Sequence, residues 1–139
     1  MPRTKTSNVN EIFMIKMQQN KSVKLLVIGD LIIDHYLWGS CEQISPEAPV
    51  QVANVKSESL ALGGAGNVIN NLKALGANVD VLGVTGSCET SDEMKNLLKN
   101  IEVDSKHLIT QKDYVTSKKS RIIAAQQQVV RYDRESTAE

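Results

Sequence analysis

Aromatic residues are scarce in this chain: they make up 4% of its 139 residues, with one Trp and one Phe. Any core must therefore be built from aliphatic side chains. Cysteine is nearly absent as well. Cys41 and Cys88 stand far apart and give neither a disulfide framework nor a metal-ligand spacing. That usage fits a reducing compartment, so a cytoplasmic location is expected. With two histidines, a His-based metal site is not expected. Long apolar runs are missing too. The longest, Leu25-Leu-Val-Ile28, has the length of a strand and not of a membrane span. Arg3 and Lys5 near the N-terminus have no apolar stretch behind them, so no secretory leader is expected. Net charge is lacking: 16 basic residues balance 16 acidic ones, and the pI is about 6.7. Nothing in that balance favours nucleic acid or an anionic membrane, and neither is expected as a partner. A hydrophobic content of 41% excludes a fully disordered chain, and 15.3 kDa suits one domain.

Along the chain, residues 1–23 read as a polar lead-in in which Ile12 and Ile15 predict one short docking helix. Lys24-Leu-Leu-Val-Ile-Gly29 predicts a buried central strand, as parallel sheets require. Ser45-Pro-Glu-Ala-Pro49 is a rigid turn, and the alternation over residues 50–55 predicts a half-exposed strand. Leu62-Gly-Gly-Ala-Gly66 is a glycine-rich loop opening a helix over residues 67–75, which Gly76 stops. Residues 79–84 predict another buried strand. Thr90-Ser-Asp-Glu93 has the form of a capping box before a helix carrying Met94, Leu97, Leu98 and Ile101. A short strand at 107–109 follows, then a hairpin of residues 120–124 and 128–132 turning at Gln126. Strands alternating with helices give an α/β layered fold with a mainly parallel sheet. The stretch over about 37–62 breaks that rhythm. It predicts a small β excursion, a lid over the carboxyl ends of the strands.

Three groups of residues suggest chemistry. Gly63, Gly64 and Asn67 combine close backbone approach with an amide at a helix start. A dinucleotide fingerprint fails there because Ile69 holds its last position. A P-loop fails because no Lys-Ser/Thr pair follows. A structural turn and a cradle for ligand hydroxyls both remain open. Asp30 and Asp34 follow the first strand, at the edge where open α/β sheets hold ligands. Each is either a turn aspartate or a polyol acceptor. Lys119 and Arg121 alternate onto one side of a strand, with Lys118 and Arg131 nearby. Two cations on one face suit a phosphate, and equally a solvated edge strand.

Read in order, Gly29-Asp-Leu-Ile-Ile-Asp-His-Tyr-Leu-Trp-Gly39, Ile44-Ser-Pro-Glu-Ala-Pro-Val50, Gly63-Gly-Ala-Gly-Asn67, Leu75-Gly-Ala-Asn-Val79 and Gly83-Val-Thr-Gly86 resemble the N-terminal part of ribokinase-like (PfkB) carbohydrate kinases. Ser45-Pro-Glu-Ala-Pro-Val50 and Gln127-Gln-Val-Val-Arg-Tyr-Asp133 narrow the resemblance to the branch acting on D-glycero-β-D-manno-heptose 7-phosphate. The resemblance spans residues 24–133, and residues 24–139 would form a partial kinase domain. It implies that Asp34, Gly63, Gly64 and Asn67 bind the sugar and that Lys119 and Arg121 lie near its phosphate. It implies a lid that pairs two subunits in the full enzyme. It also implies ATP and Mg²⁺, with transfer of phosphate to O-1 for ADP-heptose and lipopolysaccharide core synthesis. Ile69 departs from the family pattern, which has a small residue there. The family's catalytic Asp, in a Gly-Ala-Gly-Asp motif, has no counterpart in these 139 residues. The chain is therefore expected to supply sugar binding and lid without phosphoryl transfer, and to have low stability as a free monomer. A non-catalytic sugar-binding or dimerising remnant, or a kinase for another sugar or nucleoside, are the alternatives.

Overall fold

A computed structural model describes residues 23–136 of the chain. The helix expected around Ile12 and Ile15 lies outside the described residues. The elements run β1 (Lys24–Ile28), β2 (Leu31–Ile44), β3 (Gln51–Gly64), α1 (Ala65–Ala74), β4 (Asn78–Thr85), α2 (Glu89–Asn100), β5 (Leu108–Thr110), β6 (Ser117–Ala124) and β7 (Gln127–Arg134). They form a mixed α/β fold with two sheets. The first is wholly parallel, in the order β1-β4-β5. The second has the order β3-β2-β6-β7, in which only β2 and β6 run parallel.

The core is aliphatic, as the aromatic shortage requires. Val79 and Val81 of β4, Ile69 of α1, Met94 and Leu98 of α2, and Leu31 and Ile33 of β2 are all buried in one cluster. Ile69, the departure from the family pattern, is fully enclosed. The helical spacing of α2 works as expected: Met94 and Leu98, four residues apart, are both 0% exposed.

β1 differs from its expected place. It is an edge strand of the first sheet, and only one of its faces is covered. Val27 packs on the core, whereas Leu26 and Ile28 are 56% and 67% exposed. The apolar run reflects a strand built for cover on both faces. Among the described residues both helices join the same side.

The excursion is wider than its sequence bounds. Its two strands cover 14 residues each and begin directly after Asp30, so Asp34 lies within a strand and not in a turn. The predicted hairpin forms around Ala125 and Gln126, at φ 48° and 63°. Those paired left-handed residues are the mark of a two-residue turn whose twist suits antiparallel strands. The hairpin is not a separate edge. It joins the excursion's sheet through β6.

The expected capping box is not formed. Cys88 holds the cap position of α2 without a side-chain cap bond. Ser91 is buried and donates to the Gly86 carbonyl at 2.6 Å, so its oxygen meets Thr116 Oγ1 at 2.8 Å as an acceptor. The Gly86 N–H donates to that same Thr116 oxygen at 2.8 Å. These hydroxyls bind the end of β4 to the start of β6. They satisfy buried backbone groups that would otherwise be costly. No helix among the described residues is long and apolar enough to cross a membrane.

This one-sided core predicts contrasting costs for two apolar truncations. Met94→Ala, in the enclosed cluster, should lower unfolding free energy by about 2–5 kcal/mol. Ile28→Ala, on the open face, should lower it by less than about 1 kcal/mol. Urea denaturation followed by circular dichroism measures both, and equal losses would contradict a core confined to one side.

Candidate functional site

Register and pleat build the site. Along β2 the side chains alternate, so Asp34, Tyr36 and Trp38 share one face while Ile33 and His35 take the other. On the inner face, His35 Nδ1 lies 3.2 Å from Ser120 Oγ and Nε2 lies 2.9 Å from Glu58 Oε2, so the ring ties β2 to both neighbours. Lys118 is on that inner side too, paired with Glu93 of α2 at 2.8 Å. The outer face of β2 meets Lys119 and Arg121 of β6, which stand opposite Asp34 and Tyr36 in the ladder.

Asp34 is the meeting point. Its Oδ1 accepts a hydrogen bond from Arg121 Nη1 at 2.5 Å, and both side chains are about four-fifths enclosed, at 22% and 20% exposure. Its Oδ2 lies over Gly63, in the space that a Cβ there would fill. Gly63 is thus small because the carboxylate occupies the space of its side chain. Gly64 has a different reason. It stands at φ 55° and ψ −132° as the cap residue of α1, and a Cβ would meet the Asp30 carbonyl at 2.5 Å. That carbonyl accepts the Ala65 N–H at 2.9 Å, satisfying one of the helix's first donors. Asp30 thus serves the turn through its backbone. Asn67 follows in the exposed first turn of α1, three residues beyond Gly64.

Arg121 also lies over Tyr36, its guanidinium carbon 5.5 Å from the ring centroid. Tyr36 and Trp38 stack at 6.0 Å with planes 23° apart. Trp38 donates to Ser59 Oγ at 3.4 Å and is 43% exposed. The outer face therefore runs from a carboxylate–guanidinium pair to an aromatic shelf. β7 adds Arg131 and Asp133 to the same face, since they stand opposite Arg121 and Lys119. Arg131 donates to both Asp133 oxygens, at 2.9 and 2.7 Å. Those bonds hold the Asp133 carboxyl below the usual aspartate range and raise Arg131.

Three of the expected residues meet directly, and the others are placed around them by chain or ladder position. Asp34, Gly63 and Arg121 come together, Gly64 follows Gly63, and Lys119 reaches Asp133 at 3.9 Å. Asn67 is exposed in the first turn of α1, and among the described residues no side-chain hydrogen bond joins it to Asp34. Sequence reasoning passed over Tyr36 and Asp133, and named Arg131 only as a cation near Lys119 and Arg121. The signal was available: with residues 31–44 read as a strand, period two gathers Asp34, Tyr36 and Trp38 on one side. Among the described residues no three His, Cys, Asp or Glu side chains group to hold a metal ion.

A strand, a long β excursion and a glycine-opened helix, with a carboxylate seated on Gly63, make up a ribokinase-like fold. The chain belongs to the family described as pfkB family carbohydrate kinase, whose model matches residues 22–139. It is 62% identical over 117 residues to the bifunctional protein HldE of Aliarcobacter butzleri, covering 84% of this chain and 25% of that protein. It is 54% identical over 125 residues to the bifunctional protein HldE of Sulfurimonas denitrificans, covering 90% of this chain and 26% of that protein. The chain thus spans about a quarter of the length of the curated relatives it matches. Among solved structures it shares the fold of a carbohydrate kinase from Agrobacterium tumefaciens, with a TM-score of 0.63 at 22% identity over 81% of this chain and 35% of that one. It likewise resembles a ribokinase from Cryptococcus neoformans in complex with ADP, with a TM-score of 0.55 at 22% identity over 83% of this chain and 34% of that one.

The Arg131–Asp133 pair sets a titration. A carboxyl with a depressed folded value contributes stability above the unfolded aspartate value and loses it as pH falls through the folded one. NMR titration of the Asp133 carboxyl carbon should give a midpoint below that of a free aspartate. Arg131→Gln should move the midpoint upward, and an unchanged midpoint would mean the pair does not persist in solution.

Proposed function

We propose that this chain is the sugar-binding and lid portion of an ATP-dependent kinase acting on D-glycero-β-D-manno-heptose 7-phosphate at O-1. The observation that carries the reading is the Asp34 carboxylate seated on Gly63, next in the chain to Gly64, which caps the helix that carries Asn67. A carboxylate that accepts and an amide that both donates and accepts suit a polyol. Arg121 holds the Asp34 side chain in place, and sugar hydroxyls would share or replace that bond. The names of the HldE relatives and the heptose-branch motifs favour a heptose over other sugars. The product would be the 1,7-bisphosphate, used for ADP-heptose and lipopolysaccharide core synthesis.

In the whole kinase, the Gly-Ala-Gly-Asp aspartate would deprotonate the anomeric hydroxyl. That motif is not among the 139 residues. The work of this portion is therefore to bind, orient and cover the sugar. A cytoplasmic setting and pairing of two lids through the long β2–β3 strands belong to the same reading. Binding of a different sugar or nucleoside, by a related kinase or a non-catalytic remnant, is the rival.

Thermal-shift titration of the 139-residue chain with heptose 7-phosphate, fructose phosphate, ribose and adenosine separates these. Heptose 7-phosphate should give the largest shift, amounting to about 2.7 kcal/mol of stabilisation at one hundred times its dissociation constant. Asp34→Ala should remove that shift, and a larger shift with ribose or adenosine would favour the rival. The purified chain should show no ATP turnover in a coupled ADP assay. Measurable turnover would overturn the division of labour.

A further inference from the structure

The open face of the parallel sheet carries a specific pattern. Leu26 and Ile28 of β1 stand beside Asp80 and Leu82 of β4 in the ladder, and Ile109 of β5 stands beside Val84. Leu26, Ile28 and Ile109 are each more than half exposed. Leu26, Asp80, Leu82 and His107 line a hollow of about 260 Å³. One carboxylate thus sits in an apolar floor, and among the described residues no cation forms an ion pair with it. The chain enters this sheet at Val23, whose carbonyl accepts the Asn78 N–H at 3.0 Å. The residues before it include Val9-Asn-Glu-Ile-Phe-Met-Ile-Lys-Met17, in which six of nine side chains are apolar. At about 100° per residue, Val9, Ile12, Phe13 and Met17 share one side of a helix, Lys16 falls among them and Glu11 falls opposite. A cation within an apolar stripe complements a carboxylate within an apolar floor.

We propose that residues 9–17 are the cover of this open face: a helix laid antiparallel to β1, with Lys16 paired to Asp80 and with Val9, Ile12, Phe13 and Met17 over Leu26, Ile28 and Leu82. The lengths agree. Nine helical residues span about 14 Å, and a five-residue strand about 16 Å. Residues 18–22 reach up to about 17 Å when extended, enough to turn the chain back over β1. Any cover of this floor must answer Asp80, because a buried carboxylate without a partner is costly. A second copy of the chain answers it poorly. Two-fold pairing of the same face brings two Asp80 carboxylates into one apolar interface. The inference stands apart from the sugar-binding reading and uses none of its residues.

Phe13 is the single phenylalanine, so its ring protons identify themselves in the NMR spectrum of the 139-residue chain. Nuclear Overhauser contacts should join that ring to the methyl groups of Leu26, Ile28 or Leu82. A mixture of differently labelled chains should show none of these contacts between copies. Lys16→Glu and Asp80→Lys should each lower the Tm by about 2–5 °C. The two substitutions together restore opposite charges in swapped places, and should recover at least half of the summed loss. Recovery separates a charge contact from damage at either site alone, and it decides the matter even where one single variant fails to fold. Absence of the Phe13 contacts overturns the proposal, and so does their appearance only between copies, which would make a second chain the cover. Contacts within the chain without recovery by the swapped pair would keep the helix on this face and overturn the pairing of Lys16 with Asp80.

Discussion

One closure governs this structure. The chain leaves β1 at Asp30, runs out and back through two 14-residue strands, and returns to where it left. The return is fastened by the Ala65 N–H donating to the Asp30 carbonyl at 2.9 Å and by the pairing of Leu31 with Gly64. Only a residue without Cβ fits there, because Gly64 has a positive φ and the Asp30 oxygen lies where its side chain would be. Closing a loop of this length costs entropy, and the long ladder of backbone bonds offsets it. The same closure presses β2 against the last residues of β3, which brings Asp34 over Gly63. A structural necessity and a candidate binding site are thus one piece of geometry.

The two sheets divide the labour differently. The parallel sheet buries one face under α1 and α2, and leaves Leu26, Ile28 and Ile109 exposed on the other. An apolar surface of that kind is built for cover. The second sheet packs its inner face through Ile33, His35 and Ser120, and turns a charged and aromatic face outward. Hydrophobic burial fixes where the second sheet sits. Ion pairs line its far side.

Much of this was legible in the residues. The glycine run opening α1, the stop at Gly76, the burial of Met94 and Leu98, and the hairpin at Gln126 follow from local rules, because turns and helix faces depend on neighbours a few residues away. Asp34 was legible as a candidate through family motifs. Its surroundings were not. Residues 31–44 mix apolar, polar and glycine positions, so their strand is hidden until β3 and β6 supply partners. Thr90-Ser-Asp-Glu93 obeys a capping rule, yet tertiary demands at Gly86 and Thr116 took the Ser91 hydroxyl instead.

The sequence by itself determined the family, the aliphatic core and the positions where only glycine serves, since these depend on composition, spacing and backbone sterics. Tertiary structure alone decided that Arg121 meets Asp34 across 87 residues of chain, that Arg131 faces Arg121, and that β1 stands at an edge. The physical reason is that ladder register, a long-range property, chooses which charges become neighbours, and no local pattern carries it.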